Sequence, residues 1–280
     1  MPVLPNLFII GTQKGGSTTL FHHLSQHRDI ATFREKEINL FLEGVDIDVR
    51  LRDLGNPVGG DKYVLDGSIN YSRYPRHAGV PERILQSVGQ ETPRFIYTLR
   101  NPIDRLLSHY YWNSQRYGEP RNILAAAAHD NLYVVTGQYE RQLQQYLQYF
   151  SLSQFCFVKF EDLCRDPEAE TNRVLDWLGL GPMSIDSKVR MASTHAKTTR
   201  ELRFPRLHAF VLEFPLLKGV LQKALSDRAL RLLHKKLSRE VRREPVGKEL
   251  RQKLLDQYFR DSIEATERML ELDLSDWKVP

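Results

Sequence analysis

Two short stretches of this chain combine residue types that bind phosphate-like anions. The first is a lysine followed by two glycines and three hydroxyl residues: Lys14, Gly15, Gly16, Ser17, Thr18 and Thr19. Glycines let the backbone approach a ligand closely, and a helix that begins here would direct its free N–H groups at the same point. The stretch therefore predicts a cradle for an anion, with Lys14 as its mobile cation. An ordinary strand-to-helix turn with a solvated lysine is the alternative.

The second stretch begins at Arg100, directly after the apolar run Phe95–Leu99. Asn101 suits a helix N-cap and Pro102 suits the first helical position. The packing positions of that helix are Ile103, Leu106, Leu107 and Tyr110. Another face then carries Arg105, Ser108 and Trp112. We expect Arg100 and Ser108 to clamp a second anion, although a helix-capping ion pair of Arg100 is nearly as consistent with the pattern.

The first stretch is not a Walker A loop, because two glycines separate Lys14 from Ser17. In a Walker A loop the lysine directly precedes the hydroxyl residue. Asp66 is the only candidate for a magnesium ligand after an apolar strand, so a P-loop small-molecule kinase is a remote alternative. His23 and His27 stand four residues apart without a third ligand, and we expect no metal.

The elements that must position these residues alternate along the chain. Apolar runs that predict strands are Leu7–Ile10, Tyr63–Leu65, Phe95–Leu99 and Phe155–Val158. Helical patterns cover about 103–117, 139–149 and 167–178. This order predicts an α/β fold with a central, mostly parallel sheet flanked by helices. Ligands of such sheets bind at the carboxyl ends of the strands. After about residue 200 the strand pattern stops and the chain reads as helices.

The composition is that of an ordinary globular protein, with 280 residues of which 41% are hydrophobic. The net charge of +5 suits an anionic ligand without requiring nucleic acid. No apolar run of about 18 residues and no signal peptide is apparent, which predicts a cytoplasmic protein without a membrane anchor. We expect one domain over 1–280, with an α/β core to residue 200 and a helical part over 201–280. Cys156 and Cys164 are expected to pack; the oligomeric state stays open.

Together the two stretches resemble the cofactor motifs of sulfotransferases that use 3′-phosphoadenylyl sulfate. That family reads K-G-G/C-[ST]-[TS/R] and then R-[DN]-P-x-x-R-x-x-S, and both patterns are met here. The similarity is closest to the branch of heparan sulfate and bacterial sulfotransferases. Further segments look similar in the same order, namely Lys36–Phe41, Asp66–Tyr71, Phe160–Pro167 and Asp273–Trp277. The resemblance implies a P-loop-like three-layer fold.

The resemblance also implies roles for individual residues. The first stretch would hold the 5′-phosphosulfate, with Lys14 stabilising the leaving phosphate, and Arg100 and Ser108 would hold the 3′-phosphate. Glu37 would be the general base, as a glutamate is proposed to be in the heparan-type branch. A carboxylate paired with Lys36 or Arg34 is the structural alternative for Glu37. His109 and His195 are rival bases.

The acceptor side is less well defined. Ser68 and Tyr71, with Glu37, are expected to contact the acceptor, and Lys197 and Arg200 are candidates for a late phosphate-contacting loop. Several heparan-modifying relatives have a lysine where this chain has Gly67, which argues against a polyanionic sugar. We therefore expect a hydroxyl of a small molecule or secondary metabolite, or less often an amine or guanidine nitrogen. A carbohydrate acceptor is the alternative. The aromatic residues that could line the pocket are Tyr71, Tyr74, Trp112, Tyr117 and Tyr133.

Overall fold

A six-stranded sheet forms the centre of the chain. The computed structural model describes residues 3–90, 93–117, 119–185, 198–202, 238–242 and 246–280. The strands of the sheet are β1 (Leu7–Gly11), β2 (Ile30–Thr32), β3 (Val58–Gly59), β4 (Tyr63–Asp66), β5 (Arg94–Leu99) and β6 (Phe155–Lys159). Their spatial order is β3-β2-β4-β1-β5-β6, and every pair is parallel except β2 with β3. The predicted mostly parallel sheet is confirmed.

The central strands are apolar throughout because both faces of the sheet are covered. Every residue of β1 is buried. Phe8 and Ile10 point into one apolar core, whereas Leu7 and Ile9 point into a second core on the opposite face. The three-layer arrangement follows from this alternation.

Helices cover both faces. Those that precede β6 are α1 (Ser17–Leu24), α2 (Ile47–Leu54), α3 (Val80–Val88), α4 (Pro102–Tyr117), α5 (Ile123–His129), α6 (Leu132–Val135) and α7 (Tyr139–Leu147). Those that follow β6 are α8 (Phe160–Arg165), α9 (Pro167–Trp177), α10 (Lys248–Leu254) and α11 (Arg260–Leu270). Helices α1 and α9 contribute to the core around Leu7 and Ile9, and α3, α4, α7 and α11 contribute to the other.

Two further strands lie beyond the sheet. Strand β7 (Thr198–Leu202) pairs with β8 (Ser238–Arg242) in antiparallel orientation. The expectation that strands stop near residue 200 missed β8, whose sequence is rich in charged residues. Its backbone hydrogen bonds are made with β7, and its sequence contains no apolar run, so a hydrophobic pattern does not reveal it. Helices α10 and α11 follow and are joined through a π-helical segment, Leu255–Phe259.

The topology brings three chain segments to one edge of the sheet. Strands β4, β1 and β5 are neighbours and run parallel, so the residues that follow Asp66, Gly11 and Leu99 meet at their carboxyl ends. Cys156 is buried in β6, whereas Cys164, also expected to pack, is exposed on α8. Among the described residues, no helix has the length and apolarity needed to span a membrane.

Candidate active site

The loop between β1 and α1, Thr12–Gly16, is fastened to the neighbouring strand β5. The Thr12 amide donates to the Thr98 carbonyl at 2.9 Å and to the Thr98 hydroxyl oxygen at 2.8 Å. That same hydroxyl donates to the Gly11 carbonyl at 2.7 Å. The Gly15 amide closes the turn on the Thr12 carbonyl at 3.0 Å. These buried bonds fix the start of the loop.

The second glycine of the loop is required by its backbone conformation and by its neighbour. Gly16 has φ of +88°, a region that residues with a Cβ rarely adopt. A Cβ on Gly16 would also lie 2.8 Å from the Phe160 ring. The chain therefore reaches the first turn of α1 through a path that only glycine follows without strain.

Helix α1 presents its N-terminus without a side-chain cap. Gly16 occupies the N-cap position, no side chain bonds to it, and the first turn contains no acidic residue. Ser17 is buried, whereas the hydroxyl residue that follows it, Thr18, is exposed and Thr19 is half-buried. Free N–H groups and the positive end of the helix dipole make this turn suitable for an anion.

Lys14 lies at the same edge. It adopts a left-handed backbone conformation with φ of +71°. Its ammonium lies 5.8 Å from the centre of the Trp112 ring on α4. A cation over an aromatic face is attracted by the ring quadrupole. The lysine is thus placed between the loop and α4.

Arg100 connects the second predicted anion site to this loop. Its Nη1 donates to the Lys14 carbonyl at 2.9 Å, and its guanidinium lies 4.5 Å from the centre of the Phe160 ring. The Arg100 backbone is held by the Tyr139 hydroxyl, which accepts from the amide and donates to the carbonyl. Arg100 is only 8% exposed, and burial lowers the pKa of its guanidinium. A fixed, desolvated cation therefore lies beside the loop.

The start of α4 agrees with the predicted cap. The Asn101 side-chain oxygen accepts from the amides of Ile103 and Asp104 at 3.0 and 3.3 Å. Pro102 is the first helical residue. Glu161 accepts from the Asn101 amide at 2.9 Å, which connects this junction to α8.

The sequence places Arg105 with Ser108 and Trp112 on a face of α4 other than the packing face, but Arg105 packs as well. Arg105 is completely buried and donates to the Tyr133 carbonyl of α6. Burial lowers its pKa to about 10. Ser108 and Trp112 are half-buried. Arg105 is buried because helix α6 packs on α4 and covers the face that carries Arg105.

Lys36 connects Glu37 to the first turn of α1. The Lys36 ammonium is 3.1 Å from Glu37 Oε1 and 3.4 Å from the Ser17 hydroxyl. The pairing with Lys36 that formed the structural alternative for Glu37 is thus present. Because the ion pair contacts Ser17, it also brings the carboxylate to the edge where the anion sites lie.

Ser68 and Tyr71, expected to contact the acceptor, are buried and bonded within the protein. Both hydroxyls donate to the Asp66 carboxylate, at 2.5 and 2.7 Å. Ser68 also accepts from the Asn39 amide and Tyr71 from the Phe41 amide. Burial raises the pKa of Asp66 to about 6. In this structure the network fixes the segment that carries Glu37, and neither hydroxyl is exposed to an acceptor.

The histidines described around the site are not placed to act as a base. His109 is buried on α4, where burial and the nearby cations Arg105, Arg73 and Lys14 lower its pKa to about 2. His23 is buried against Thr171, and His27 bonds to the Gly181 carbonyl. The described residues contain no group of three or more His, Cys, Asp or Glu that could hold a metal ion.

Two predicted site residues, Lys197 and His195, lie outside the described residues, and the other candidates lie in different parts of the fold. Arg200 belongs to β7, which lies against α4. Among the aromatic candidates Tyr133 is buried in the core, and the Tyr74 ring is covered by Arg141 at 5.6 Å.

The structure is an α/β protein in which the two segments predicted to bind anions adjoin at the carboxyl edge of the sheet. Residues 4–205 match the family model described as "Sulfotransferase domain". Because this match covers well over half of the chain, the chain belongs to the sulfotransferase family, as the motifs predicted. The kinase alternative is not supported.

Known proteins similar to this chain agree with that assignment. Heparan sulfate glucosamine 3-O-sulfotransferase 6 of Mus musculus is 32% identical over 192 residues, covering 65% of this chain and 54% of the relative. Heparan sulfate glucosamine 3-O-sulfotransferase 3B1 of Homo sapiens is 30% identical over 196 residues, covering 65% of this chain and 48% of the relative. The chain thus spans about half the length of these curated relatives. The solved sulfotransferase from Alicyclobacillus acidocaldarius has the same fold, with a TM-score of 0.70 and 22% identity over 99% of both chains.

Proposed function

We propose that this protein transfers a sulfuryl group from 3′-phosphoadenylyl sulfate to a hydroxyl of a small-molecule acceptor. The donor carries a 5′-phosphosulfate and a 3′-phosphate, so it needs two anion sites on one edge. The observation that carries the proposal is the bond from Arg100 Nη1 to the Lys14 carbonyl at 2.9 Å. It joins the uncapped N-terminus of α1 to the start of α4, the helix that also carries the half-buried Ser108.

In this proposal the reaction is an in-line displacement at sulfur. The acceptor oxygen attacks the sulfur, the bond from sulfur to the bridging oxygen breaks, and Glu37 takes the proton of the hydroxyl. Negative charge then grows on the 5′-phosphate, where Lys14 and the N–H groups of α1 stabilise it. Positioning and electrostatic stabilisation supply the catalysis.

The charges around Glu37 favour an uncharged acceptor. Lys36, the cation beside the proposed base, is already paired with Glu37 at 3.1 Å. The half-buried Trp112 adds an aromatic surface near Lys14. A small hydroxyl compound, such as a secondary metabolite, fits these surroundings better than a chain of negative charges. A nitrogen acceptor is less favoured.

A carbohydrate acceptor is the second candidate, because the curated relatives are named as heparan sulfate glucosamine 3-O-sulfotransferases. An acceptor screen that compares phenols and alcohols with desulfated heparan oligosaccharides separates the two. A single domain over 1–280, a cytoplasmic location and a role in secondary metabolism remain predictions from the sequence.

The donor is tested by calorimetry with adenosine 3′,5′-bisphosphate, adenosine 5′-diphosphate and magnesium ATP. Ligand that binds the folded state also raises the melting temperature, so a thermal shift gives the same comparison without an acceptor. We expect the 3′,5′-bisphosphate to bind most tightly. Preference for magnesium ATP, or no binding of any of the three, would overturn the proposal.

A further inference from the structure

Lys36 occupies a position between the two partners of the proposed reaction. Its ammonium is 3.1 Å from Glu37 Oε1 and 3.4 Å from the hydroxyl of Ser17, the first residue of α1. Ser17 belongs to the proposed donor site and Glu37 is the proposed base. Any group that passes from donor to acceptor between them must come close to this ammonium.

Gly67 provides the space in which the Lys36 side chain lies. A Cβ on Gly67 would be 3.0 Å from Lys36 Cγ and 3.1 Å from Lys36 Cε. A carbon of the Phe21 ring would lie nearest to that Cβ, at 2.8 Å. The Gly67 amide also donates to the Lys36 carbonyl at 2.9 Å. A side chain at residue 67 would therefore displace the ammonium from Ser17 and Glu37.

The surroundings of this ammonium suit a charge that acts on an anion. The Lys36 side chain is only 15% exposed. Burial lowers its pKa, while the carboxylates of Glu37 and Asp66 favour the charged form. A cation held away from water interacts more strongly with a nearby anion than one on the surface.

We propose that Lys36 is a catalytic residue that contacts the sulfuryl group of the donor and holds Glu37 against the donor site, and that Gly67 is required to admit it. This inference rests on the proposed function. Lys14 stabilises the phosphate that leaves, whereas Lys36 acts on the side of the acceptor. The two lysines would then lie on either side of the bond that breaks.

The test compares two ligands that differ only in the sulfuryl group, 3′-phosphoadenylyl sulfate and adenosine 3′,5′-bisphosphate. Dissociation constants are measured by calorimetry for the wild type, Lys36→Met, Gly67→Ala and the double variant. A charge-assisted hydrogen bond predicts that Lys36→Met weakens the sulfate-bearing ligand by about tenfold relative to the bisphosphate. Gly67→Ala should change this ratio in the same direction, but should add nothing in the Lys36→Met background, because both act through one side chain.

Two matched controls accompany these variants. Lys62→Met removes an exposed lysine that bonds to the Gly179 carbonyl, and Gly181→Ala adds a methyl group where no atom lies within 4 Å. Both should leave the ratio unchanged. Binding of the bisphosphate shows that a variant is folded. If Lys36→Met does not fold, Gly67→Ala tests the same inference.

The outcomes separate this inference from the proposed function. If the wild type binds neither ligand, the proposed function fails. If the wild type binds both and the ratio stays within about twofold in Lys36→Met, only the role of Lys36 is overturned. Equal effects of Gly67→Ala in both backgrounds would likewise show that residue 67 acts through Phe21 and not through Lys36.

Discussion

The substitution Thr98→Val tests how β5 holds the proposed donor loop. The Thr98 hydroxyl is completely buried, accepts from the Thr12 amide at 2.8 Å and donates to the Gly11 carbonyl at 2.7 Å. Valine has nearly the same shape but can make neither bond. The variant therefore removes two hydrogen bonds at the point where β1 passes into the loop, with little change in packing.

The expected loss of stability follows from those two bonds. A buried hydrogen bond contributes about 1 kcal/mol net, so Thr98→Val should lower the free energy of unfolding by about 2 kcal/mol. The Thr12 amide keeps its bond to the Thr98 carbonyl at 2.9 Å, which argues against a much larger loss. Because the loop starts at Thr12, affinity for adenosine 3′,5′-bisphosphate should fall as well.

Urea unfolding measures the stability of this variant and calorimetry measures its affinity for the bisphosphate. Thr266→Val is the matched control, because Thr266 is buried in α11 and its hydroxyl bonds to the Ser262 carbonyl at 2.8 Å and to Glu140 at 3.4 Å. The control should lose stability but keep its affinity. A Thr98→Val protein that loses less than about 0.5 kcal/mol and binds normally would refute the reasoning.

Four further substitutions test individual groups. Lys14→Ala should reduce turnover far more than bisphosphate affinity, and equal losses of both would contradict its role at the leaving phosphate. Glu37→Gln should abolish turnover and keep the affinity; near-normal turnover would exclude it as base. Ser108→Ala should weaken the bisphosphate about fivefold but leave adenosine 5′-monophosphate unchanged, and equal weakening would place Ser108 elsewhere. Burial raises the pKa of Asp66 to about 6, so the folded state holds a proton that the unfolded state releases near pH 4. Relative to Asp66→Asn, the wild type should lose about 2 kcal/mol of stability in urea unfolding as the pH rises from 4 to 7; a difference independent of pH would contradict this.

The sheet and its edge could be predicted from sequence because their signals are local. The apolar run before Gly11 and the apolar run before Arg100 each show a strand that is covered on both faces. Asn101 and Pro102 mark a helix start by their own chemistry. Parallel strands then place both following segments at one edge, so the proximity of Lys14 and Arg100 needs no knowledge of the rest of the chain.

The predictions from sequence that failed depended on which partner a polar side chain takes in the folded chain. The buried state of Arg105 depends on α6, which is separated from α4 by helix α5 and has no motif of its own. Ser68 and Tyr71 carry hydroxyls that could face a ligand or a carboxylate. Only the placement of Asp66 at the end of β4 decides that they bond inward. Periodicity within one helix or loop does not report such partners.

The segments that form the two proposed anion sites are joined by a hydrogen bond, which changes how variants of Arg100 must be interpreted. The sequence predicts Arg100 as a contact for the 3′-phosphate, with a helix-capping ion pair as the alternative. In the structure its Nη1 donates to the Lys14 carbonyl, and its guanidinium covers Phe160, the ring that a Cβ on Gly16 would meet. Removing Arg100 would therefore remove a support of the loop as well as a charge. Loss of binding in an Arg100 variant therefore has two causes, whereas Ser108 belongs to the second turn of α4 and gives the more direct test of the 3′-phosphate site.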